Sequence, residues 1–207
     1  MRRREFTAAL SVPLLPGLAE AALSEGDAAA GVRAALERGA LAAVSLLGQS
    51  DGFLGNPLVR IPLPGQLEDA AKLMRRLGQG KKVDELVTAM NRAAEAAVPM
   101  ARPLFVSTVK ALSVEDALKI VRGSSTSVTD FFAGKTRSPL GEKFLPIVTQ
   151  ATEKVSLAAR YNAVAGRASA LGLMKGEDAN VQQYVTRKAL DGLFLMIGEE
   201  EKKIRAD

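Results

Sequence analysis

Residues 81–112 read KKVDELVTAMNRAAEAAVPMARPLFVSTVKAL, and this stretch decides the fold. Its apolar positions are Val83, Leu86, Val87, Met90, Ala94, Ala97, Val98, Ala101, Leu104, Phe105, Val109 and Leu112. The spacing is that of one helical face, held for about eight turns. The stripe keeps its phase through Pro99 and Pro103. Each proline removes a backbone donor and crowds the carbonyl four residues earlier, so the helix is expected to bend there and continue. Ala93, Ala94, Ala96 and Ala97 let a neighbouring helix approach closely. The expected fold is all-α, an irregular bundle of about six to eight helices around a long, proline-kinked central helix at 81–112.

The rest of the composition agrees with that reading. A chain of 207 residues is long enough for one domain with its own core. Only 4% of residues are aromatic and there is no Trp, so the core rests mainly on Leu, Val and Ala, a mixture that favours close-packed helices. Cys and His are both absent. Their absence rules out disulfides, thiolate nucleophiles, imidazole bases and Ser-His-Asp triads, together with zinc or haem sites on the usual ligands. Any acid–base chemistry would need carboxylates, Lys or Tyr, and no cofactor or metal site is expected. The net charge is +5, but the cations are scattered without interleaved aromatic stackers, so no nucleic-acid partner is expected.

Residues 1–21 read as an export signal. Arg2, Arg3 and Arg4 form a charged start, 8–18 is a short apolar run, and Ala19-Glu20-Ala21 supplies a small-x-small cleavage pattern. Arg3-Arg4-Glu5-Phe6 is also twin-arginine-like. Pro13 and Pro16 interrupt the apolar run, which is too short to span a membrane. The expected organisation is therefore a signal at 1–21 and a single helical domain at 22–207, with a periplasmic location.

Along the domain, Ser24 to Asp27 offer caps for a helix running to about Leu47, with Gly48 after it. Residues 49–64 form a loop in which Pro62 and Pro64 bar a central strand. A helix over 66–77 ends at Gly78. Ser113 caps a short helix ending at Gly123. Ser124 to Thr129 is a hydroxyl-rich turn into a helix around Phe131 and Phe132, and its hydroxyls read as caps rather than a phosphate cradle. Ser138-Pro139 reads as the start of a further helix, kinked at Pro146 and reaching about Leu171. Asp178 is expected to cap a last helix over 179–205.

Several stretches resemble a bacterial family, domain of unknown function family 4197. They are Asp51-Gly-Phe-Leu-Gly-Asn-Pro with Val59-Arg-Ile-Pro-Leu-Pro, then Met90-Asn-Arg-Ala-Ala-Glu-Ala-Ala-Val-Pro, and Tyr184-Val-Thr-Arg-Lys-Ala-Leu-Asp-Gly-Leu-Phe leading into Glu199-Glu-Glu-Lys-Lys-Ile-Arg. The resemblance implies an exported or lipoprotein-like helical protein and brings no catalytic residues. This chain has no lipobox cysteine, so a lipid anchor is not expected. The family pattern is expected to run on beyond Arg205.

On a helical wheel Asn91, Glu95 and Arg102 share one edge of the apolar stripe, with Arg92 on the opposite side. Half-buried polar groups need partners, and Tyr184, Lys188 and Asp191 recur at helical spacing on the last helix. Glu95–Lys188 and Arg102–Asp191 are the expected pairs. They would form an interhelix network or, functionally, the polar floor of a ligand site. Glu199–Lys203 and Glu201–Arg205 are expected as solvated i, i+4 pairs rather than a metal site. Phe53, Leu54, Leu58, Ile61 and Leu63 are many apolar groups for one loop, and either pack on the bundle or line a groove.

Two functional classes follow. One is a non-enzymatic binding or interaction module with an apolar groove beside the 51–64 loop, taking an apolar small molecule such as a lipid, a peptide, or a protein partner. The other is a hydrolase-like enzyme with Glu95 and Asp191 as acid and base, which needs the two carboxylates close together across an open cleft.

Overall fold

The computed structural model describes residues 25–155, 158–159, 161–162 and 180–206. The helices are α1 (Glu25–Leu47), α2 (Gly65–Arg76), α3 (Gly80–Ala97), α4 (Ala101–Lys110), α5 (Val114–Arg122), α6 (Ser127–Thr152) and α7 (Val181–Ala206). No strand occurs among the described residues, and the fold is all-α and bundle-like. Residues 1–24, which hold the expected export signal, lie outside the described residues, as do Leu171 and Asp178.

The stripe over 81–112 is buried as its spacing implies. Val83, Leu86, Met90, Ala94, Ala97, Val98, Ala101, Phe105, Val109 and Leu112 all belong to the core, with Val87 and Leu104 packed against it. The backbone, however, is two α-helices rather than one. A 3₁₀ turn at Val98–Met100 carries Pro99 between α3 and α4. Ala97, Val98, Met100 and Ala101 keep right-handed helical dihedrals, which is why the side-chain phase survives the change. Pro103 then falls in the first turn of α4, where backbone donors have no intrahelical partner to lose.

Ser138-Pro139 does not open a helix, contrary to expectation. Both Pro139 and Pro146 lie inside the continuous α6. Their missing N–H groups take the usual helical donor from the carbonyls of Lys135 and Glu142, and both residues are exposed, so water can serve those carbonyls. The buried side of α6 is Val128, Phe132, Thr136, Leu140, Phe144, Val148 and Thr152, one residue in every four. At 3.6 residues per turn such a row drifts by about 40° per step. The drift lets α6 meet α7, α3, α4 and α5 along its length.

Local signals set the helix ends. Ser113 Oγ accepts from Asp116 N–H at 3.0 Å and starts α5. Asn180 Oδ1 accepts from Gln183 N–H at 2.7 Å and starts α7. Gly78, at φ 75°, follows α2 in a left-handed conformation that glycine adopts at little cost. Aromatics are few but central: the Phe105 ring meets Phe132 at 5.0 Å and Phe194 at 6.4 Å, joining α4, α6 and α7 edge to face.

Candidate functional site

Asn91 and Glu95 act on backbone, not on the last helix. The loop between α1 and α2 is a run of turns that serve the N–H groups of Gly52 and Val59 internally, while those of Phe53, Leu54 and Ile61 find partners on α3. Asn91 Oδ1 accepts from Ile61 N–H at 2.8 Å, while its Nδ2 donates to the carbonyls of Ile61 at 2.9 Å and Val87 at 2.8 Å. Glu95 Oε1 accepts from Phe53 and Leu54 N–H, each at 3.0 Å. Its Oε2 takes Arg92 at 2.7 Å, and Arg92 also reaches Asp51 at 2.8 Å. These two bonds, Glu95 first, push the Arg92 guanidinium above its ordinary pKa. Arg92 is therefore not on the opposite side from Glu95: three residues apart on a helix they are neighbours.

The loop is pinned from α7 as well. A Cβ at Gly192 would lie 2.8 Å from the Phe53 ring and 3.2 Å from Val59, so only glycine allows this approach. Tyr184 donates its hydroxyl proton to the Pro62 carbonyl at 3.2 Å. Phe53 and Ile61 are buried in the core. They pack the loop onto the bundle rather than line a groove beside it.

The remaining expected residues go separate ways. Asp191 pairs with Arg137 at 2.9 Å, with Arg187 at 4.0 Å, instead of with Arg102. Arg102 is exposed and reaches Ser45 Oγ at 3.3 Å. Lys188 does not pair with Glu95; its ammonium sits 6.0 Å from the Tyr184 ring centre. Glu199 and Glu200 pair at i, i+3 with Lys202 at 2.7 Å and Lys203 at 2.6 Å, replacing the expected i, i+4 pattern. The Arg205 side chain lies outside the described residues.

Smaller than the more polar hollow of about 770 Å³ beside Lys81, Asp84 and Thr88 of α3, an apolar cavity of about 240 Å³ lies elsewhere, among α1, α5 and α7. Val32, Leu36 and Ala40 of α1, Ile120 and Val121 of α5, and Ile197 and Ile204 of α7 form its walls. Glu201 is its one charged lining residue and is itself buried. That carboxylate accepts from Val128 N–H, Thr129 N–H and Thr129 Oγ1, each at 3.2 Å. It thus caps the start of α6, where Thr126 supplies no side-chain cap and the helix dipole favours an anion. Sequence reasoning missed Glu201 by reading three glutamates as one solvated run. A signal was present: Glu201 lies four and eight residues after Ile197 and Leu193, on the apolar face of α7.

A protein-family model described as protein of unknown function (DUF4197) matches residues 22–207. The chain belongs to that family. No curated protein and no solved structure matches it. Among the described residues, no helix of this DUF4197 protein is long and apolar enough to cross a membrane.

Proposed function

We propose that this DUF4197 protein is an exported, non-enzymatic binding module that takes a small apolar ligand in the α1–α5–α7 cavity. The observation that carries the reading is the cavity itself, walled almost wholly by aliphatic side chains. Its volume of about 240 Å³ is slightly below the usual range for ligand pockets, so the ligand is small: a short acyl chain or one large apolar side group. Export is supported by the Arg3-Arg4-Glu5-Phe6 start and by a family match that begins at residue 22, directly after the expected cleavage at Ala21. Nothing favours the hydrolase reading. The Glu95 carboxylate is engaged by two backbone amides and Arg92, and Asp191 is held by Arg137.

Displacement of an apolar fluorophore by short-chain fatty acids tests the reading. Wild type should bind the probe, and Ala35→Leu, which fills the cavity from α1, should not. Equal binding by both proteins would place the probe elsewhere and remove the proposal.

A further inference from the structure

We infer that the solvent strip of α7, together with the extended chain beside it, docks the protein on an anionic lipid surface. The loop places one row of cations. Val59 packs against Gly192, and the Pro62 carbonyl meets Tyr184. Eight helical residues span about 12 Å, and three extended ones about 10 Å, so residues 59–62 run alongside α7 in the opposite sense. Arg60, exposed, therefore stands alongside the α7 turns that carry Lys188. Neither Arg60 nor Lys188 has a carboxylate partner among the described residues. Arg187 follows on the same strip, and Arg137 flanks it from α6, stacked 5.0 Å over Phe194. Asp191 pairs with Arg137 and Arg187, leaving Arg60 and Lys188 as the two cations of the row that it does not reach.

Two large aliphatic side chains accompany the cations. Leu58, next to Val59, is 63% exposed, and Leu195, one turn from Gly192 on the strip, is 44% exposed. Cations that reach phosphates, beside leucines that can enter the acyl boundary, make up an interfacial anchor. Nucleic acid is a poorer fit because the aromatic rings on this face, Tyr184 and Phe194, are buried and offer no stacking platform. The full chain carries +5, and removing residues 1–21 takes away three Arg and two Glu, a net +1, and leaves +4, which adds long-range attraction to the same class of surface.

Co-sedimentation with vesicles tests the inference. Wild type should bind phosphatidylglycerol–phosphatidylcholine vesicles, weaken with salt, and ignore pure phosphatidylcholine. Arg60→Glu with Lys188→Glu should lower binding by at least about tenfold, since each cation near such a surface contributes on the order of a few-fold. Leu58→Ser with Leu195→Ser should also lower it, at unchanged charge. Reversing Lys81 and Lys82, at the start of α3, should leave most of the binding intact. Thermal melts of each variant confirm that it is folded; if a reversal fails to fold, Arg60→Gln with Lys188→Gln replaces it and should show a smaller loss. The inference is overturned by equal binding to neutral vesicles, by equal loss at Lys81 and Lys82, or by binding to DNA or polyglutamate without binding to vesicles.

Discussion

The side chain of Asn91 meets the backbone of Ile61 at both of its polar groups, accepting from the N–H at 2.8 Å and donating to the carbonyl at 2.9 Å. One amide on α3 thus does for the loop what a neighbouring strand would do. Asn91→Ala leaves the N–H and the carbonyl of Ile61 without their partner, while the Val87 carbonyl keeps its place in the α3 ladder, and should cost about 2–4 kcal/mol in urea unfolding. Asn91→Asp keeps the acceptor but turns a carboxylate oxygen toward the Ile61 and Val87 carbonyls. It should destabilise at least as much as Ala.

Glu95→Ala should destabilise by about 2–4 kcal/mol, because it strands the Phe53 and Leu54 amides at the base of the loop. Glu95→Gln retains an oxygen for those amides and should cost less. The loss in the Ala variant comes from the amides and not from a stranded cation, since Arg92 is half-exposed and keeps its pair with Asp51. Arg92→Ala should therefore lower the melting temperature less than Glu95→Ala. An equal fall in both would show that the ion pair carries the stability.

Two glycines give opposite expectations. Gly192→Ala places a methyl 2.8 Å from the Phe53 ring and should cost about 1–3 kcal/mol by overpacking. Gly134, inside α6, has nothing within 4 Å of an added Cβ, so Gly134→Ala should stabilise by about 0.5–1 kcal/mol through helix propensity. Thermal melts of the two variants check both signs.

Glu201 caps α6 from another helix, so its loss should be felt first at the α6 amides. In Glu201→Ala, hydrogen exchange at Val128 and Thr129 should speed up markedly while exchange near Leu140 changes little. Uniform acceleration along α6 would mean that Glu201 stabilises the whole bundle rather than one helix end.

The helical face over 81–112 was legible because side-chain phase depends on continuous right-handed dihedrals, and Pro99 did not interrupt them. The division into α3 and α4 was not legible, since a 3₁₀ turn leaves the apolar spacing almost unchanged. At Ser138-Pro139 the local signature suits either a helix start or an exposed position within a helix; the row Phe132, Thr136, Leu140 and Phe144 decides for the second. Asn91 and Glu95 were recognisable as edge groups in need of partners. Their partners were not, because backbone amides of an irregular loop carry no side-chain pattern. The cavity draws on three helices distant in sequence, and no single stretch announces it.

Native mass spectrometry of protein released gently from its native compartment tests the central claim most directly. Wild type should carry a small apolar adduct that dissociates on mild activation, and Ala35→Leu, prepared identically and equally folded, should carry none. Adduct-free wild type in every preparation, or the same adduct on both proteins, would contradict ligand binding in the α1–α5–α7 cavity.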